Sequence, residues 1–177
     1  MMVNKEIRGC WVGMGVLLLG SIVFQAEAAE VLVSMEIKRP TCDLSFSGLN
    51  NGTGNYTYPM GNLTLGTTKR HAPFKAIIDC SRVAEDASVN TALTASVRKG
   101  TVVANRIRMQ VNGQENTSAP ELWLETGSRL VPLNGSTTFC KGNGNRNECT
   151  LTPYTQVPGN SPKSNVSATV VFNVEYA

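Results

Sequence analysis

The sequence predicts an all-β protein, an antiparallel sandwich or barrel. Short runs rich in β-branched and aromatic residues recur from about residue 30 onward, separated by clusters of Gly, Asn, Pro and Ser, and no stretch carries the apolar period of an amphipathic helix. The plainest run is SNVSATVVFNVEYA at the C-terminal end, where Ala168, Val170, Phe172, Val174 and Tyr176 alternate with Thr169, Val171, Asn173 and Glu175. A period of two puts the first set on one face of a strand and the second set on the other.

In chain order, the first element is a leader. Lys5 and Arg8 precede an uncharged, mostly apolar run from Gly9 to Phe24, and Ala26-Glu27-Ala28 follows as a small-x-small cleavage site. This reads as a secretory signal peptide over residues 1–28, since the run is short for a membrane span of about 20 residues. A strand pattern follows at Glu30–Lys38, with Val31, Val33, Met35 and Ile37 on one face and Leu32, Ser34, Glu36 and Lys38 on the other, and it breaks at Arg39-Pro40 because Pro cannot donate to a ladder. Further strands are expected at Cys42–Ser47, Asn62–Leu65, Phe74–Cys80, Ala92–Arg98, Arg106–Val111, Glu121–Glu125, Arg129–Leu133, Thr150–Thr155 and Ala168–Tyr176. Asn50-Asn51-Gly52, Asn112-Gly113, Asn134-Gly135 and Pro158-Gly159-Asn160 read as turns, and Pro153–Lys163 as a long surface connection.

Composition narrows the function. The leader removes two basic and two acidic residues, so the net charge stays at +3, and no Lys/Arg cluster of the kind nucleic acid demands is present. Cys10 leaves with the leader; Cys42, Cys80, Cys140 and Cys149 remain, an even number that implies disulfides in an exported chain. Three connectivities are open, and proximity favours Cys140 with Cys149 and hence Cys42 with Cys80. A zinc site fits badly, because no C-x₂₋₄-C pair occurs; no metal or cofactor is expected. His71, the single histidine, lies in the basic, Pro-bounded stretch Lys69-Arg70-His71-Ala72-Pro73 and reads as a solvated loop residue. With no G-x-S-x-G, H-E-x-x-H or P-loop motif, nothing points to an enzyme. The six N-x-S/T sequons, at Asn51, Asn55, Asn62, Asn116, Asn134 and Asn165, read as accidents of an Asn-, Thr- and Ser-rich surface.

Taken together, several features resemble the pilin subunits of the bacterial chaperone–usher (type 1 and P pilus) family. They are the A-x-A leader, the alternating strand before Cys42, the second cysteine 38 positions on in Ala76-Ile77-Ile78-Asp79-Cys80, and the closing F-x-x-x-Y with Tyr176. The resemblance implies an incomplete immunoglobulin-like sandwich lacking its last strand, with a pilin domain over 41–177 and a donor-strand extension over 29–40. By the same resemblance, Val31, Val33, Met35 and Ile37 would be the donor side chains. Ala168, Val170, Phe172, Val174 and Tyr176 would line an acceptor groove first held by a periplasmic pilus chaperone. An outer-membrane usher, neighbouring pilins and a host receptor reached through the fibre complete the implied partners, and the implied location is a surface fimbria. Two features depart from the commonest major pilins and point to a minor or adaptor subunit: Met35 stands where the family commonly has Gly, and Cys140 and Cys149 form an additional pair. The alternative is a secreted β-sandwich binding protein complete in itself.

Overall fold

The computed structural model describes residues 42–52, 55–83 and 89–176, with no side-chain detail for 51 and 52. The expected extension, Val31 to Ile37, and the leader lie outside the described residues, which all belong to the compact unit Lys38–Ala177.

Fifteen strands follow one another in this region. β1 (Asp43–Ser47) is followed by the short hairpin β2 (Asn50–Gly52) and β3 (Asn55–Thr57), then β4 (Thr68–Arg70) and β5 (Phe74–Asp79). β6 (Asn90–Lys99) leads into β7 (Thr101–Val103), β8 (Arg106–Arg108) and β9 (Gln110–Val111). Next come β10 (Glu121–Thr126), β11 (Arg129–Leu130), β12 (Phe139–Asn143), β13 (Arg146–Gln156), β14 (Val166–Ser167) and β15 (Thr169–Tyr176). Every pairing is antiparallel. The larger sheet runs β1-β5-β13-β10-β8-β7, with β4 also on β13 and β11 also on β10; the smaller runs β12-β6-β15. The two sheets close on one apolar core that includes Phe74, Ile78, Leu93, Ile107, Leu122, Leu124 and Leu151. This is the aligned-sandwich solution for strands with one apolar face each.

Local chemistry explains several connections. Asn112 and Gly113 both have positive φ, 49° and 78°, and Val111 and Gln114 exchange backbone hydrogen bonds of 2.8 and 3.0 Å, so the expected Asn-Gly turn forms. Gly100, between β6 and β7, has φ 106°, and a Cβ there would meet the Ile107 side chain and the Arg108 carbonyl, so only Gly fits. Asn134 caps its own turn, accepting from the Ser136 and Thr137 amides at 3.0 and 2.9 Å.

Four expectations are corrected. Asn62–Leu65 makes no ladder; the segment between Pro59 and Gly66 is held by half-buried Met60 and Leu63 against the core and by Gly66 N–H to the Val157 carbonyl. Asn50-Asn51-Gly52 is itself a strand, paired in register with Asn55 to Thr57. Pro153 lies inside β13, fully buried, rather than opening a surface connection. It is tolerated because β13 changes neighbours there, from β5 (Leu151 opposite Phe74) to β4 (Tyr154 opposite Arg70), so no ladder bond is asked of its missing N–H on that side. Arg106–Val111 divides at Met109: its N–H donates to the carbonyl of Pro120, next in the β8–β10 register, but Pro120 has no N–H to return, and β9 beyond it pairs with β14.

Candidate functional site

β15 is the terminal strand of the smaller sheet, eight residues long and paired with β6 along one side. Its pairing with β6 puts Val170 opposite Val97, Phe172 opposite Ala95 and Val174 opposite Leu93, so these three share the core-facing side of the sheet with Leu93 and Ala95. Yet Ala168, Val170, Phe172 and Val174 are only half-buried, whereas Leu93 and Ala95 opposite them are wholly buried. Ala168 sits just before the strand, between β14 and β15. The other edge of β15 pairs with no strand among the described residues.

β1 is the terminal strand of the larger sheet and also pairs on one side, with β5. Its Leu44 and Phe46 are half-buried against the same core. The two unpaired edges face each other. The Phe46 and Phe172 rings lie 5.3 Å apart between centroids, and the Cys42 N–H donates to the Tyr176 hydroxyl at 2.9 Å. Residue 42 therefore meets 176 and residue 46 meets 172, so β1 and β15 run antiparallel alongside each other without a backbone ladder. Among the described residues the result is an apolar cleft with two unpaired strand edges as its lips. Its middle is packed with aromatic rings: Phe46 also lies 5.0 Å from Tyr56 and 6.0 Å from Phe74, and Phe172 lies 6.4 Å from Phe139. A row of unpaired backbone groups beside half-buried apolar side chains is a template for another strand.

Val170, Phe172, Val174 and Tyr176 share one face of β15 in an unbroken register with β6, Ala168 stands before the register shift at Thr169 and Val170, and Tyr176, 51% exposed, reaches across to Cys42. Sequence reasoning missed the opposite lip. Its signal was the alternation of Leu44 and Phe46 directly after Cys42, and what hid its role is that the Phe46–Phe172 contact spans 126 positions of sequence. The four cysteines form Cys42–Cys80 and Cys140–Cys149. The first anchors β1 to the end of β5. The second links β12 to β13 and so joins the two sheets, since β12 belongs to the smaller and β13 to the larger.

His71 corrects its expectation. It is 6% exposed, with Nε2 within hydrogen-bonding distance (2.8 Å) of the Thr155 hydroxyl and its ring edge-on to Tyr58 at 6.3 Å. Burial, and secondarily the charge of Lys69, pushes its pKa below the ordinary value. The imidazole is a packed core group, fixed by a strand 84 positions away. Among the described residues, no group of three or more His, Cys, Asp or Glu could hold a metal ion.

No family model matches the sequence, and no curated protein matches it. Solved structures do. A crystal structure of the P pilus rod subunit PapA superposes with a TM-score of 0.54 at 14% identity, covering 78% of this chain and 100% of that one. A structure of a chaperone–usher pilus covers 86% of this chain and 97% of its own at 14% identity, but with a TM-score of 0.46 it carries no weight here. At such identity the likeness is one of architecture, and on that basis the chain has the fold of a pilus rod subunit.

Proposed function

We propose that this chain is a structural subunit of a surface fimbria, a minor or adaptor pilin, that polymerises by donor-strand exchange. The observation that carries the reading is the bare outer edge of β15, an eight-residue strand whose apolar side chains are only half covered and which faces the equally bare edge of β1. A strand inserted between the two would pair with β15, cover Val170, Phe172 and Val174, and complete the smaller sheet. This is strand addition, in which backbone hydrogen bonds supply affinity and alternate side chains supply fit. In the reading, a signal peptide over 1–28 directs export, and a periplasmic chaperone occupies the cleft first. An outer-membrane usher then threads the subunit, and the extension over 29–40 carries the donor side chains Val31, Val33, Met35 and Ile37 into the preceding subunit. Burying four such side chains contributes on the order of 6–12 kcal/mol before ordering costs, enough to hold a fibre without covalent links. The fold shared with a pilus rod subunit supports the same reading.

The donor and acceptor surfaces are separate in this scheme, so they fail separately. Deleting Ala29–Arg39 leaves a chain that is still captured by its chaperone and still accepts a donor strand, but no longer inserts into another subunit. Strand exchange between purified chaperone–subunit complexes, followed as chaperone release and heterodimer formation, measures both. A truncated chain that is a stable monomer with neither chaperone nor donor contradicts the proposal and favours a self-contained binding domain.

A further inference from the structure

The smaller sheet has a second concavity, on its outward face. Leu93 and Ala95 of β6 point into the core, so Ala92, Thr94 and Ser96 point out. Yet Ala92 and Thr94 are 7% and 1% exposed. The turn after Asn134 lies on this face: Gly135 N–H donates to the Ala95 carbonyl at 2.8 Å, Asn134 bridges Ser96, and a Cβ on Gly135 would stand 3.4 Å from the Ser96 Cβ. Between this turn, β12 and the end of β15 is a cavity of about 790 Å³, lined by Asn90, Ser136, Thr138, Lys141 and Glu175, with Ala92 and glycines leaving it room. Tyr176 touches one end of it, but Glu175, opposite Ala92 in the register, places it on the side turned away from the sandwich interior.

Two charges of opposite sign line it. One Glu175 carboxylate oxygen accepts from the Thr94 hydroxyl at 3.2 Å, which leaves most of the acceptor capacity of the group unused. Lys141 stands in a bulge: the register of β12 on β6 shifts between Phe139 and Gly142, and Cys140 has φ 54°, a costly value for a residue with a Cβ. The Asn147 amide donates to the Cys140 carbonyl at 2.7 Å, and the Cys140–Cys149 disulfide ties the same residue to β13. Bulges re-aim side chains, and strain kept in a fold marks functional positions. Lys141 has no ion-pair partner among the described residues.

We propose that this cavity binds a short, uncharged saccharide. A sugar presents hydroxyls that both donate and accept. The cavity offers an ammonium that only donates, a carboxylate that only accepts, and hydroxyls and an amide that do both. The two charges cancel, so a ligand with net charge of either sign gains little, and an apolar ligand would desolvate both charges without pairing them. The volume lies within the range of about 300–1,000 Å³ usual for small-molecule sites. Binding here is independent of donor-strand completion, so either can fail while the other stands.

The test is a titration of the isotopically labelled, exported full chain, read from its amide resonances. The probes are the methyl glycosides of glucose, galactose, mannose and N-acetylglucosamine, then lactose, with N-acetylneuraminic acid and inorganic phosphate as charged probes. At least one neutral sugar is expected to give saturable shifts at Ser136, Gly142 and Glu175, and the charged probes none there. Lys141→Ala and Glu175→Gln are each expected to weaken that sugar by roughly 10- to 150-fold, the factor for one hydrogen bond to a charged group. No saturable shift with any neutral sugar, tighter binding of either charged probe, or an affinity unmoved in both variants overturns the proposal. Should a variant not fold, the shifts in the unaltered chain decide: confined to the cleft residues Val170 and Phe172, they overturn it as well.

Discussion

His71 is held as a neutral imidazole by its surroundings, and this sets a pH dependence. Its pKa is lowered in the fold by burial and by Lys69, while the unfolded chain takes up a proton near the ordinary value of about 6.5. Stability from this group is therefore whole above pH ~6.5 and declines as pH falls from there to the lowered folded value, below which the group contributes no further change. Asp79, held down by hydrogen bonds from Ser81, and Glu148, held down by Arg146 and Lys75, act in a separate window. Their contribution is present above the ordinary carboxylate range and is lost as pH falls through their lowered values. Denaturant titrations of the exported chain should thus show a first loss as pH falls below about 6.5 that His71→Asn removes, and a second at lower pH that it does not. A variant that loses stability across the first window as the unaltered chain does would show that His71 is not the group responsible. The residue was misread because its sequence neighbours Lys69 and Arg70 are exposed, whereas the hydroxyl it meets belongs to Thr155 on β13.

At the scale of elements, the corner where β12 turns into β13 is the distinctive piece. Its disulfide joins strands of different sheets, and Asn147 ties the same corner further, its amide Nδ2 donating to the Cys140 carbonyl at 2.7 Å and to the Thr91 hydroxyl at 3.3 Å. A Cβ on Gly142 would collide with the Asn147 side chain, so glycine is required opposite it. Replacing Cys140 and Cys149 by Ser should lower unfolding stability by about 2.7 kcal/mol on the chain-entropy estimate for so short a loop, against about 3.9 kcal/mol for Cys42 and Cys80. Chemical denaturation checks both, and a larger loss from the shorter loop would show that the staple orders the corner rather than only the unfolded chain. Strands with strong alternation were legible in the sequence: Phe74–Asp79, Glu121–Thr126 and the last strand all stand within two residues of where the pattern places them. The short β4 was not: Thr68–Arg70 is wholly exposed, with no apolar period to betray it, and exists because β13 offers it an edge.

The described residues form a sandwich in which β1 and β15 each pair on one side alone, with half-buried apolar side chains between them. The sequence alone could suggest one wall, through the period of Val170, Phe172 and Val174, but not the gap. A gap is a relation between β1 and β15, which lie more than a hundred residues apart. The contact of Phe46 with Phe172 was likewise invisible, because nothing in either strand alone names the other. If the cleft awaits a strand, the free backbone edge of β15 is where it must pair. Residue-resolved amide hydrogen exchange over Thr169–Tyr176, in the exported chain with and without a bound donor peptide, measures this directly. Alternate amides, those pointing away from β6, should exchange rapidly in the chain alone and become strongly protected when the peptide binds, while those pointing toward β6 are protected in both. Protection of all these amides in the chain alone would contradict it, because β15 would then already have a strand on each side.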